Sequence, residues 1–482
     1  MRFSVTFGVR GIPARSILGI GGLVALVACG DLLGVDDYGP ALIDGGSGGG
    51  GGDIDMVGGG GTISSTGTGV HDWAQVFGAQ GMDDAAAVAV GEAGVVVTGE
   101  ISGRVDMGGE PLGMDDTRQL YLAVLGSDGT PQQALGTTGM ADPLQVTAID
   151  ALGDRVAIAG CYGGEGFTIG DDSVDPAADQ NAFVVQLRVT NSAIEVMHAT
   201  TLAVDGTACA LDVALTETDL VVVGESNVVV DDGLDAIVWR VDMAGVVTDT
   251  LTLDGPGDQR LTAAVTAGDD VYVAGDFGGE ALGHTSAGSA TVLVAKLNGS
   301  NFTASAAFGS SNPHAVAAID VAGDQVAVVG SFFGGTSFGG DTLLAAGTSQ
   351  VSDIFVLRLD SELAHQASFR LGAAANDRPH GVAVAEDGRM VVVGEYAGEV
   401  TFAGLSFVSV GEMDGFVAAY DADDSELWWH FGRRHENDAV SGVALDDEGI
   451  LVTGRFFEGF ALEGEVLQSE GNSDGMAARL LW

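Results

Sequence analysis

Along most of the chain the apolar residues fall in short runs of Val, Ala, Ile and Leu, broken by Gly and Asp. Apolar positions spaced three and four apart, the mark of an amphipathic helix, are almost absent. The runs repeat. "VVVTGE" (95–100), "VAIAGC" (156–161), "LVVVGE" (220–225), "VYVAGD" (271–276), "VAVVGS" (326–331), "MVVVGE" (390–395) and "ILVTGR" (450–455) are one element met seven times. Their glycines, Gly99 to Gly454, recur with a mean period of about 59 residues, which is the signature of a solenoid, propeller or array.

Each unit predicts four short antiparallel strands. A strand of small residues, such as "AAAVAVG" (85–91) or "SGVALDD" (441–447), leads through a Gly/Asp hairpin turn into the β-branched run. A third strand follows, as in "IFVLRLD" or "GFVAAYD", and then a fourth, as in "HQASFRLG" (365–372) or "LWWHFG" (427–432). The expected fold is therefore all-β, a seven-bladed β-propeller of four-stranded blades. The last unit stops at Trp482 on its third strand, while "WAQVFG" (73–78) precedes the first unit and matches "LWWHFG". Strand 73–78 is thus expected to complete the last blade and remove an open sheet edge. The units exceed the usual blade by roughly fifteen residues. The excess lies mostly between second and third strands, in stretches such as "GRVDMGGEPLGMDDTRQ" and "GEVTFAGLSFVSVGEMD". These excursions should all rise from one face, where a propeller commonly carries its function.

Taken together, "GVAVAEDGRMVVVGE" and "GEYAGEVTFAGLSFVSVGEMDGFVAAYDADDSELWWHFG" resemble the bacterial β-propeller repeat of secreted lipoproteins, the SBBP repeat. The likeness covers Trp73 to Trp482, is clearest in units one, five, six and seven, and weakens in units three and four. It implies an envelope propeller and carries over no catalytic residue.

The N-terminus reads as a targeting segment. Arg2, Arg10 and Arg15 precede the apolar stretch "ILGIGGLVALVA", too short to span a bilayer, and "LVAC" places Cys29 where a lipobox cysteine is acylated. Residues 1–28 are read as a lipoprotein signal peptide, 29–69 as a Gly-rich tether, and 70–482 as the propeller. Residues 1–28 hold three of the 18 basic side chains and none of the 68 acidic ones, so the remainder is even more acidic than the formal −50 of the whole chain. Nucleic acid, bound through neutralised phosphates, is excluded as a partner, and so is anionic lipid beyond the anchor itself. A solvated acidic coat accounts for the charge; a cation-binding role is the alternative.

Few residues suggest chemistry. Cys161 and Cys209, the thiols left once Cys29 is acylated, fall on one face of neighbouring blades and are expected to form a disulfide. His314 and His380 stand equivalently ahead of the inner strands of blades five and six. Asp84, Asp142, Asp258, Asp377 and Asp438 recur close by. Such a ring at the channel mouth would suit a divalent cation or a cationic ligand; shared ancestry of the repeat and local backbone capping are the plainer explanation. Asp235, Asp353, Asp414 and Asp474, before the third strands, read as turn residues bonding their own backbone. "DADDSE" (421–426) reads as a hairpin turn, because it lacks the glycine and distal glutamate of an EF-hand. Trp73, Trp428, Trp429 and Trp482 read as outer-strand packing. No repeated Ser-x-Asp-x-Gly-x-Thr-Trp box occurs, and the G-x-S-x-G strings at 335–339 and 471–475 lack the strand-to-helix pattern that makes a nucleophile elbow.

The expectation is a lipid-anchored, monomeric binding or scaffolding module of the cell envelope, with a protein or glycan ligand on the excursion face and no cofactor. Its alternatives are a cation-dependent hydrolase or lyase at the channel mouth, and a structural surface component.

Overall fold

The computed structural model describes residues 71–482, apart from 108–110, 114–116, 228–232, 348–349, 403–404, 411, 432–436 and 463–464. The signal peptide, Cys29 and the tether lie outside the described residues. Every named element of the described residues is a β-strand, and none is a helix long and apolar enough to cross a membrane.

The strands sort into four-stranded antiparallel units, here called blades and counted along the chain. Blade three shows the order: Thr207–Leu215 innermost, then Asp219–Asn227, Asp235–Asp242 and Val247–Leu253 at the rim. Second and third strands are buried on both faces and read as continuous apolar runs. The rim strand Val247–Leu253 alternates half-buried and exposed residues, as a strand wet on one side must. Blades four, five and six repeat this order from Gln259, His314 and Asp377. Blades one and two share a strand: Pro131–Leu152 is the rim of blade one in its first residues and the innermost strand of blade two in its last. The last blade holds Ala439–Leu445, Ile450–Phe456 and Asp474–Leu480, and its fourth strand is His71–Phe77, with Phe77 opposite Gly475 and His71 opposite Leu480.

Blades meet through apolar clusters. Ala157 and Val184 of blade two pack with Ala210, Val222 and Trp239 of blade three; Leu451 and Ala477 of the last blade pack with Val95, Val97 and Tyr121 of the first. The many alanines let the sheets approach closely and keep the interfaces dry. One cavity of about 630 Å³ is lined by the ends of the innermost strands of all these blades, from Val88–Val90 through Asp150, Asp212, Thr266, Asp320 and Val384 to Leu445.

The recurring glycine has a steric cause. The inner strand bulges where it crosses the second strand, between Ala210 and Asp212, between Leu261 and Ala263, and at equivalent places in blades two, five, six and seven. There its carbonyl leans over the glycine. A Cβ on Gly275 would stand 1.9 Å from the Arg260 carbonyl oxygen, and one on Gly99 2.4 Å from that of Asp84. No other residue fits, so the glycine recurs with the fold.

The excursions are hairpins set between second and third strands: Glu399–Phe402 with Leu405–Val408 in blade six, Gly459–Leu462 with Glu465–Gln468 in the last blade, and shorter pairs in blades four and five. The shortened excursion expected in blade three falls largely on 228–232, outside the described residues.

Candidate functional site

The residue after each recurring glycine lies in the excursion-side half of a second strand, toward the mouth of the axis. In several blades its side chain reaches the inner strand of the next blade. Glu100 accepts the Val146 backbone N–H on Oε1 at 2.7 Å. Glu225 pairs with Arg260 at 3.0 Å. Asp276 accepts from the Val316 backbone. Cys161 occupies the same position in blade two and is disulfide-bonded to Cys209, with Cα atoms 4.9 Å apart. Both cysteines lie inside strands, Cys209 within the inner strand rather than ahead of it. The disulfide is therefore a covalent version of a clasp that other blades make with carboxylates.

Three consecutive clasp positions, Glu395, Arg455 and Glu100, bring charge together where blades six, seven and one meet. Arg378, opposite Glu395 in the ladder, pairs with it at 3.1 Å, and His380 Nε2 stands 3.9 Å from the same oxygen. Arg118, opposite Ser102, pairs with Glu100 at 3.0 Å. Arg455 holds the position between the two glutamates in blade order, its charge lowers the pKa of both, it is exposed, and no described carboxylate pairs with it. The glutamates are buried, whereas the side chains of Arg118 and Arg378 are 44% and 41% exposed. Water thus meets guanidinium first.

The two glutamates titrate in opposite directions. Burial, and then the neighbouring Asp84, push Glu100 up to about 8 against the pull of Arg118. Burial would raise Glu395 too, but the nearby His380, Arg378 and Arg455 hold it down at about 2.

The acids predicted at the mouth serve the backbone. Asp377 accepts N–H groups of Ala373 at 2.7 Å and Ala397 at 3.2 Å, and burial pushes it up to about 7. Asp438 accepts from Phe457 at 3.0 Å, Asp258 from Leu234 at 3.0 Å, and Asp84 from Glu100 at 2.9 Å. Asp142 is exposed and precedes Pro143. His314 is not at the mouth: it is 2% exposed, with Nδ1 at 3.0 Å from the Ala290 carbonyl and Nε2 at 2.7 Å from Thr336 Oγ1, and burial lowers its pKa. His314 and His380 are thus not brought together, because His380 is a bulge residue and His314 begins its strand. Among the described residues no three His, Cys, Asp or Glu side chains are gathered as a metal cage.

The third-strand acids hold the excursions to the blade. Asp353, Asp414 and Asp474 accept backbone N–H groups of Ala346, Val410 and Glu470 at 2.8, 3.0 and 2.8 Å. Asp235 begins the third strand of blade three. Residues 421–426 turn between two strands through the Asp421–Ser425 backbone pair, and Asp424 reaches Arg358 of the preceding blade at 2.6 Å. Trp73 is buried under the Arg479 guanidinium, and Trp482 lies under Arg389 at 4.1 Å. Trp428 and Trp429 belong to the rim strand Glu426–Phe431, but their side chains lie outside the described residues.

A second acidic set, unforeseen, lines the cavity at the other end of the axis. An innermost strand is an edge strand whose outward N–H groups face the channel unpaired. Asp150 accepts Leu215 N–H of the next blade at 2.7 Å and its own neighbour Ala151 at 2.7 Å. Asp212 does the same with Ala264 and Val213, both at 2.8 Å, and Asp320 with Val384 at 2.7 Å. Burial pushes Asp150 to about 6 and Asp212 to about 7, and raises Asp320.

No protein-family model and no curated protein matches this chain. Several solved structures do. The endosialidase of phage phi92 is 10% identical with a TM-score of 0.39, over 85% of this chain and 69% of its own. Sqt1 of Chaetomium thermophilum is 12% identical with a TM-score of 0.41, over 84% and 98%. The Neurospora crassa Pan2 WD40 domain is 10% identical with a TM-score of 0.33, over 69% and 89%. Likenesses this distant transfer no residue role; the β-propeller stands on this chain's own four-stranded sheets.

Proposed function

We propose that this protein is a binding or scaffolding module whose ligand surface is the excursion-bearing end of the propeller axis. One observation carries the reading. The excursions rise at the same end as the mouth, where Arg118 and Arg455 are exposed and Arg378 half-exposed, in a chain with 18 basic against 68 acidic side chains. Leu344, 67% exposed, and Val408, 54% exposed, stand on neighbouring excursions and offer apolar contact beside that charge. The resemblance to SBBP-repeat lipoproteins, the signal-like N-terminus and the Gly-rich stretch support a module tethered to the cell envelope through acylated Cys29. Cys29→Ser should abolish incorporation of labelled fatty acid and release the chain from the membrane fraction.

The test is capture on peptide and glycan arrays with the full chain. Leu344→Asp with Val408→Asp should lose the captured partner, and Met243→Asp, on the turn between third and rim strands of blade three, should keep it. Equal capture by both variants would sink the reading. A second reading, acid–base hydrolysis at the mouth, is favoured by Glu100, held protonated near neutral pH beside Asp84. Turnover lost in Glu100→Gln with capture intact would favour it.

A further inference from the structure

We infer that the mouth sector formed by Arg378, Arg455 and Arg118 is a binding site for a carboxylate group, borne by a small molecule or by the end of a larger chain. The inference deepens the binding-module reading and rests on it. Guanidinium groups are scarce here, and most of the described ones are spent on ion pairs between strands, as Arg240 is on Asp219 at 2.5 Å and Arg358 on Asp424. Arg455 is different. It takes the position that holds Glu100, Glu225, Asp276 or Glu395 in other blades, reverses the charge there, and has no described carboxylate in contact.

Its neighbours point the same way. Arg118 and Arg378 each give one guanidinium nitrogen to a buried glutamate and leave the rest of a planar fork toward solvent. The glutamates beneath fix the forks in place, as a supporting shell should. Glu395 is the charged one, and Glu100 is mostly protonated near neutral pH, so three guanidiniums face the mouth over little compensating charge. A fork binds a planar carboxylate through two parallel N–H···O bonds. The surrounding molecule selects among oxyanions. A net charge of −50 repels any anion in proportion to its charge. Screening over about 8 Å limits that repulsion for a monoanion that reaches the arginines, whereas a phosphate or sulfate dianion meets twice the barrier.

The experiment is ligand-observed fluorine NMR of para-fluorobenzoate with the full chain in detergent. Para-fluorobenzyl alcohol serves as the uncharged control, and acetate and inorganic phosphate as competitors. The benzoate signal should broaden, acetate should reverse it, and the alcohol should stay sharp. Arg455→Gln and Arg378→Gln should each weaken binding about tenfold or more. Arg389→Gln, at the hairpin-turn end of blade six, should leave it unchanged. Arg455 is exposed, so its variant should melt with the parent; should Arg378→Gln melt lower, Arg455→Gln alone decides. No broadening, equal broadening by the alcohol, or indifference to Arg455→Gln would overturn the site. Phosphate competing at lower concentration than acetate would overturn the preference for a carboxylate. Partner capture that depends on Leu344 and Val408 but survives Arg455→Gln would leave the binding module standing and remove only this inference. Loss of capture control at those apolar residues would instead remove the module itself.

Discussion

Asp212 shows what a single side chain does in this molecule. It lies at the free edge of an inner strand and accepts two N–H groups, one from its own strand and one from the next blade, that would otherwise face a narrow cavity unpaired. Burial raises its pKa to about 7, and the same cause raises Asp150 to about 6 and Asp377 to about 7. In each case the folded value lies above the unfolded one, so the folded chain binds these protons more tightly. The stability they contribute is full below about pH 4 and is lost as pH rises toward 7. Glu395, held at about 2, opposes this, because its contribution is lost as pH falls below its unfolded value. The melting temperature should therefore rise on acidification from pH 8 to about pH 5 and fall again below about pH 4. Relief of overall charge repulsion has the same sign, so a variant must separate the two. Asp212→Asn keeps an oxygen for one of the two N–H groups and cannot titrate. It should flatten the slope between pH 4 and 7 measurably, and an unchanged slope would assign the effect to global charge. Asp377→Ala, by contrast, strands two buried N–H groups and should cost on the order of 2 kcal/mol or more in denaturant unfolding at any pH.

At the scale of the element, the unit of construction is the clasp between one blade's second strand and the next blade's inner strand. Cys161–Cys209 is the covalent clasp, closing a segment of 48 residues. On chain-entropy grounds a cross-link of that length stabilises by about 4 kcal/mol, with 2–4 the usual yield. Cys161→Ser with Cys209→Ser should lose that much in equilibrium unfolding, and reduction of the parent should match it. A loss under about 1 kcal/mol would mean that the apolar interface of blades two and three holds without the bond. The sequence made part of this element readable. The glycine was visible because steric exclusion admits no substitute. The clasp residue after it was not, because Glu, Cys, Glu, Asp, Ser, Glu and Arg look like variation until the next blade is beside them. His314 misled for the opposite reason: its Pro-His stretch looks like that of His380, but the ladder sets His314 level with Asp377, three residues ahead of the bulge position that His380 occupies, so one ring enters the interior and the other stands near Glu395. Periodicity along one strand says where a residue sits, not which neighbouring blade it meets.

At the scale of the molecule, the all-β propeller was legible from repetition alone, because each unit has too little apolar area to stand by itself and must pack against its neighbours. The first and last units were the informative ones. A repeat missing its rim strand at one end and a spare strand at the other are parts of one sheet, and His71–Phe77 lies along Asp474–Leu480 through six paired residues. Around that seam Ser473 Oγ donates to the Asp83 carbonyl, and Arg479 is held by Asp446 and Glu448 beneath Trp73, so side chains from both ends of the chain lock together. The sheet edge itself carries a further prediction. Without residues 71–77, Asp474–Leu480 becomes an exposed, apolar edge strand, a ready template for pairing with another chain. Deletion of 71–77 should lower the melting temperature by several degrees and produce oligomers whose size, followed by light scattering, grows with concentration. A synthetic peptide of sequence HDWAQVF, added in excess, should restore both, since a strand supplied in trans makes the same ladder. The peptide in which Trp73 and Phe77 are replaced by Ser should fail, because its ladder would be intact but its buried contacts with Tyr121 and Val95 would be gone. Rescue by that polar peptide would show that backbone pairing alone closes the last blade; rescue by neither would show that the seam is held by Arg479 and its partners, with the terminal strand an accessory.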